Sequence, residues 1–421
     1  MAPAPAYRTD LMRLLHTSDW HLGHTLRDYE RGPEHAAFVS WLLDVIDEER
    51  IDVLLVAGDV FETANPSAAA QEAWYAFLAA ARRRAPDLDL IVIGGNHDSA
   101  ARLDAPSPIL SSLGVRVVGG LARRADRTID HDRIILPVRS RSGERAWIAA
   151  VPFLRAHDVV ETVGDDVLVD GVRAVYDEIF AAVRARRAPR EPIVAMGHLF
   201  MVDGRISEES ERKILGGNQH ALPVDIFPED VAYAALGHLH LAQHVGPSEH
   251  VRYSGSPIPL SMAEMNYPHQ VSVIELRDGG LAEVRALRVP RSVELRRIPA
   301  VGAAGLAEIV TEVRRLPSAD SMPRWTWPFL ELVIAMDGPE PLLQQQIDDA
   351  LEGKAARLVK ITRALRAGGS AGLPLVLRTL GDLHPEEVFI ECYSRAHAAA
   401  PTGDYLAAFH ELLEAVMLDP T

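Results

Sequence analysis

Cysteine is nearly missing from these 421 residues: Cys392 stands alone. A lone thiol excludes an intrachain disulfide and any zinc site built from several thiolates. Long apolar runs are missing too, since no stretch approaches the ~18 consecutive residues of a membrane span. Residues 1–10 lack the charged-then-apolar order of a secretory leader, so we expect a cytoplasmic chain. Positive charge is scarce, with 43 Lys and Arg against 59 Asp and Glu and a net charge of −16. A chain of that sign is a poor free-standing ligand for nucleic acid, and any surface for it has to be a local basic patch. What is present is globular composition, 48% hydrophobic and 24% charged, in a length that suits two or three domains.

The most informative stretch is Leu88–Ser99. Its apolar run Leu90–Ile93 reads as a buried strand of a parallel sheet, and Gly94 and Gly95 break it. Asn96, His97 and Asp98 follow at once, where ligands of open α/β sheets bind, just beyond the carboxyl end of a strand. Upstream, a strand over Arg13–Thr17 exits into Ser18-Asp19-Trp20-His21-Leu22-Gly23. On an extended tip, Asp19 and His21 face the same way while His16 faces the other and is structural. An amphipathic helix over Glu34–Arg50 carries Phe38, Trp41, Leu42, Val45 and Ile46 at helical spacing. Strand Ile51–Ala57 ends in Gly58-Asp59, and helix Ala68–Arg84 leads back to the first stretch. Strand, helix, strand, helix, strand calls for parallel pairing with right-handed crossovers.

Further on, strand Pro192–Met196 ends in Gly197-His198, and Val231–Leu236 ends in Gly237-His238-Leu239-His240. From residue 281 the polar tips vanish, and strands and helices over 281–365 read as a small α+β domain following a first domain of residues 1–280. Residues 366–379 read as a linker, and 380–421 as a pair of helices with apolar faces that could dock on a partner.

Five successive tips thus carry Asp19/His21, Asp59, Asn96/His97, His198 and His238/His240. Turns at strand tips need Gly, Ser or Asp, not a run of imidazoles. Imidazole, carboxylate and one amide without sulfur suit Mn²⁺, Fe²⁺, Mg²⁺ or Zn²⁺ in a site with open positions. Even without His97, seven ligands are too many for one ion and suit two ions about 3.5–4 Å apart that share a carboxylate.

In this order the motifs Asp-x-His, Gly-Asp, Gly-Asn-His-Asp, Gly-His and Gly-His-x-His resemble the calcineurin-like metallophosphoesterases. Leu15–Gly23, Ala235–His240 and Tyr253–Ser261 are similar, more closely, to the SbcD-type nuclease subunits within that superfamily. The resemblance implies a β-sandwich flanked by helices, with the small α+β domain capping the site and shaping DNA access. It implies one cation on Asp19, His21, Asp59 and His240, and a second on Asp59, Asn96, His198 and His238, with Mn²⁺ expected and Mg²⁺ or Fe²⁺ as substitutes. His97 then steadies the transition state of phosphodiester hydrolysis or protonates the leaving oxygen. The implied partners are DNA and an SbcC-type ABC ATPase bound by the helical tail, in a heterotetramer containing two copies of this chain. The location is the cytoplasm, at the nucleoid.

Glu62 stands where many phosphoesterases carry an Asp that orients the catalytic histidine, so it is expected to fix the tautomer of His97. Asp98 is expected to cap the following helix, and Trp20 to pack. Arg27, Arg31 and Arg102 lie on loops near the ligands and are candidate phosphate contacts. Two other readings share the ligand set: a small-molecule phosphodiesterase or phosphomonoesterase, and a noncatalytic scaffold.

Overall fold

Consecutive residues of the apolar strands are buried on opposite faces, and this one property builds the layers. In a computed structural model of the chain, Val53, Leu55 and Ala57 face one core while Leu54 and Val56 face another. The structure describes residues 11–159, 167–202, 204–205, 221–336, 338, 340–365, 376–377, 385–397, 401, 405–406 and 409.

The first sheet has six strands in the order Gly280–Arg288, Gln270–Arg277, Leu11–Thr17, Val53–Ala57, Asp89–Ile93 and Val115–Val118. The last four run parallel, as the strand–helix alternation predicts, and the first two form an antiparallel edge. A second six-stranded sheet runs Gln243–Val245, Ser248–Tyr253, Val231–Gly237, Ile193–His198, Arg145–Ala150 and Ile135–Arg139. One apolar core joins Leu14, Leu55, Ile91 and Ile93 of the first sheet to Ile148, Val194, Met196 and Leu236 of the second. It continues to Tyr176 and Phe180 on the helix Val167–Arg186. The opposite face of the first sheet packs against helices Gly32–Glu48 and Ala68–Arg84 through Phe38, Leu42, Trp74 and Phe77. The expected helix-flanked sandwich is therefore present. Trp20 is buried in this second core, edge-on to Phe38, Trp74 and Phe77, and serves packing as expected. His16 bonds Tyr233 and Leu236 of the other sheet and is structural, also as expected.

The second unit holds Thr25–Tyr29 and the described chain from Arg291 onward. Its sheet orders Leu295–Ile298, Phe329–Met336, Arg357–Leu365 and Val376–Leu377. Helices Leu306–Arg314 and Leu343–Leu351 bury Ile309, Val313 and Ile347 against Leu330, Leu332 and Ile334. The expected boundary after residue 280 is corrected to Pro290. Strand Gly280–Arg288 belongs to the first unit because the tight turn at Asp278-Gly279, both with positive φ, folds it back on Gln270–Arg277. Residues 376–377, read as linker, pair with Arg363 and Ala364 instead; the rest of 366–379 lies outside the described residues. Of the tail, helix Pro385–His397 is described, with Phe389 stacked on Phe409 at 4.4 Å between ring centroids. Among the described residues no helix is long and apolar enough to cross a membrane.

Candidate metal centre

All seven expected ligands come from the carboxyl-terminal tips of strands in the two sheets of the first unit. Their backbone is unusual. Asp19, His21 and Asp59 have φ of 54°, 48° and 48°, and His238 has 102°. The left-handed region is costly for residues with a Cβ, and such residues cluster where function needs them. This corrects the expectation of an extended tip: Asp19 and His21 share a side through two left-handed bends rather than through β alternation. Glycine supplies the clearance. A Cβ on Gly95 would lie 2.1 Å from Asp59 Oδ1, and one on Gly58 would lie 2.3 Å from His198 Nδ1.

Three imidazoles are oriented alike. His21 Nδ1 donates to Glu62 Oε2 at 2.9 Å, His198 Nδ1 to the Ala57 carbonyl at 2.9 Å, and His240 Nδ1 to Glu264 Oε1 at 2.9 Å. Each acceptor holds the ring proton on Nδ1 and puts the lone pair on Nε2. The lone pairs then face oxygens. His198 Nε2 lies 2.9 Å from Asn96 Oδ1 and 3.3 Å from Asp59 Oδ2, and His21 Nε2 lies 3.6 Å from the same Asp59 oxygen. His21 Nε2 is buried with no hydrogen-bond partner. Lone pairs and carboxylate oxygens converging on one point repel unless a proton or a metal cation lies between them, so the donor set fits divalent metal. Asp19, His21 and His240, and separately Asp19, Asp59 and His198, bring ligand atoms within 4.8 Å of one another. His238 is buried beside His198, ring centroids 5.4 Å apart, and its backbone N–H donates to Asp19 Oδ1.

The electrostatics follow. Burial disfavours the His198 imidazolium, yet the Asp59 carboxylate overrides it and pushes His198 up to about 9. Burial raises Asp59 as well, but His198 and the neighbouring imidazoles hold it well below the usual carboxylate range. His238 goes the other way, lowered by burial and by the positive charge of His198.

Glu62 is corrected. Its carboxylate orients the expected ligand His21, and only its main-chain carbonyl, 2.7 Å from Nδ1, orients His97. Burial raises Glu62, but the bond to His21 and the nearby charges of His21, His24 and His97 together lower it to about 2. Asp98 is also corrected, since it caps no helix. Its carboxylate accepts from the backbone N–H of Val60, Phe61 and Gly95 and so clamps the second strand tip to the third. Arg31 is buried and spent on Glu34 and the Pro259 carbonyl, which removes it as a phosphate contact. Arg27 is exposed in the second unit and reaches the carbonyls of Leu358 and Val359 at 3.4 Å, while Arg102 is exposed on helix Ala100–Asp104.

Glu264 escapes a reading of the sequence. It lies in the single turn Met262–Asn266, fully buried, bonds His240 and accepts from Leu260 N at 2.8 Å. A glutamate inside the apolar stretch from Pro257 to Met265 is the only local signal for it. The similarity over Tyr253–Ser261 now has a physical reason, because Ser254 bonds Ser18, which donates to Asp19, and Leu260 holds Glu264.

Residues 12–242 match the family described as calcineurin-like phosphoesterase, and residues 291–397 match a type 5 capsule protein repressor C-terminal domain. The SbcD subunit of the nuclease SbcCD from Rhodobacter capsulatus is 41% identical over 91% of this chain and 94% of that protein. Its namesake in Escherichia coli is 32% identical over 90% of this chain and 92% of that protein. A DNA double-strand break repair protein Mre11 from Methanopyrus kandleri is 28% identical over 93% of this chain and 78% of that protein. With this fold, this donor set and this extent of likeness, the chain belongs to the SbcD family of calcineurin-like phosphoesterases.

Proposed function

We propose that this chain is the nuclease subunit of an SbcCD-type complex. It hydrolyses DNA phosphodiester bonds with two divalent cations, Mn²⁺ before Mg²⁺ or Fe²⁺, and works with an SbcC-type ABC ATPase on ends, hairpins and double-strand breaks. One observation carries the reading: Asp59 Oδ2 stands between His21 Nε2 at 3.6 Å and His198 Nε2 at 3.3 Å, as a bridging carboxylate must. Asp19, His21, Asp59 and His240 hold one cation, and Asp59, Asn96, His198 and His238 the other.

Bound there, the cations supply an activated water and neutralise charge gathering on the phosphoryl oxygens. The chain's own residues do the positioning. His97 keeps its Nδ1 proton on the Glu62 carbonyl, and its ring lies edge-on to His21 at 4.7 Å. That arrangement supports Nε2 in exchanging a proton with the leaving oxygen. Glu62, Glu264 and the Ala57 carbonyl keep three imidazoles in the ligating tautomer. The tail helices bind the ATPase, and two copies of this chain sit in the assembly at the nucleoid.

The test is the full chain, alone and with its ATPase partner, assayed with Mn²⁺ on hairpin and blunt-ended DNA beside cyclic nucleotides. DNA cleavage that vanishes with Asp59→Ala is expected. Turnover of cyclic nucleotide alone would retire the nuclease reading in favour of a small-molecule phosphodiesterase.

A further inference from the structure

We propose that Arg155 binds a phosphate of the nucleic-acid strand next to the one being cleaved, as a substrate-positioning residue that favours polynucleotides over small diesters. The inference rests on the nuclease reading above. Strand Arg145–Ala150 leads into Val151-Pro152-Phe153-Leu154, and Phe153 N donates to the Gly94 carbonyl at 2.8 Å, which ties this segment to the third strand tip. The Phe153 ring meets the His198 ring edge-on at 6.3 Å. Arg155 is half-buried with its guanidinium 5.6 Å over that ring, and Nη2 donates to the Asp98 carbonyl at 3.1 Å. Its own backbone N–H is held by Asp158 at 2.9 Å. The cation is thus fixed between a ring that lies edge-on to His198 and the carbonyl of Asp98, the residue after His97.

Charge completes the case. Arg31 is locked to Glu34, Arg184 to Asp230 and Arg297 to Glu331. No carboxylate of a described residue pairs with Arg155, and its remaining guanidinium donors bond no described residue. A planar fork with donors to spare suits two oxygens of a phosphate, and holding it in advance lowers the entropy lost on binding. In a chain of net charge −16, this is the kind of local cation that a phosphate backbone requires. A small diester has no second phosphate to offer it.

The experiment compares wild type, Arg155→Gln and Arg155→Lys as full chains with Mn²⁺, on a single-stranded oligonucleotide and on bis-p-nitrophenyl phosphate. Arg155→Gln should raise KM for the oligonucleotide about tenfold and lower the salt slope of binding by about one, with kcat moving far less. Arg155→Lys, which keeps the charge and loses the fork, should recover part of that KM. The preference in kcat/KM for oligonucleotide over small diester should fall about tenfold in Arg155→Gln. An unchanged oligonucleotide KM and salt slope would overturn the proposal. Equal losses on both substrates would overturn it too, since the residue would then merely prop the Asp98 peptide. A wild-type chain active on the small diester and inert on DNA would overturn the nuclease reading and this inference with it.

Discussion

The two sheets contribute differently to the candidate centre. The rim of the first sheet supplies carboxylates and an amide, Asp19, Asp59 and Asn96, together with His21 and His97. The rim of the second supplies only imidazoles, His198, His238 and His240. Neither rim carries a full ligand set. The rims are sewn together by His198 Nδ1 to the Ala57 carbonyl and by His238 N to Asp19, so the site exists only where the sandwich is closed. On the proposed assignment each cation would draw on both rims, so metal binding and sheet packing would reinforce each other.

The contrast is easiest to break at the residue that serves both cations. Asp59→Ala should lose both ions and all hydrolysis; two metals still seen by anomalous scattering would show that the rims do not meet through Asp59. Next is His97, which stands on the first rim outside the expected ligand set. His97→Ala should retain metal, measured by elemental analysis, while turnover falls about 10²–10⁴-fold. Unchanged rates would remove it from the chemistry.

The glutamates behind the ligands compare the rims directly. Glu62→Gln acts on His21 of the first rim and Glu264→Gln on His240 of the second. Each should weaken metal binding by about 10–100-fold in calorimetric titration. The larger loss is expected for Glu264, which is fully buried, whereas the Glu62 side chain is 28% exposed. Equal small effects would mean that neither carboxylate orients its imidazole.

The smallest effect is a pH dependence. Without metal, His198 is raised to about 9 and is protonated at neutral pH, so a cation must displace that proton. Apparent affinity should climb about tenfold per pH unit up to about 9, and protons should be released on binding at pH 7. The stability linkage has the opposite sign. The pair with Asp59 stabilises the metal-free fold below the ordinary histidine value and is lost as pH rises through about 9. A pH-independent affinity would show that His198 carries no proton before metal binds.

Much of this was legible because strand tips in an alternating α/β chain lie in predictable places, and metal ligands are chemically loud. All seven expected ligands lie at the tips of the two sheets. Partner choice was harder to read. The three-residue spacing from Asp59 suggested that Glu62 serves His97, but left-handed bends at Asp19 and His21 bring His21 to its carboxylate instead. Arg31 carried a usable signal, since an Arg and a Glu three apart at a helix start form an ion pair, and that pair outcompetes any phosphate role. Glu264 lies 24 residues from His240 and is joined to it only by tertiary folding. The expected boundary differs from the structural one because a strand read over Ala282–Val289 fits either unit; only the Asp278-Gly279 turn decides.

The bends at Asp19, His21, Asp59 and His238 have a last consequence. Each holds its backbone in a conformation that costs on the order of 1 kcal/mol or more, so these rim loops act as sprung catches. Divalent ions held at these residues would keep the catches shut. Stripped of them by a chelator, the chain should be nicked by protease first around Ser18–Gly23 and Gly58–Glu62, long before the buried strands give way.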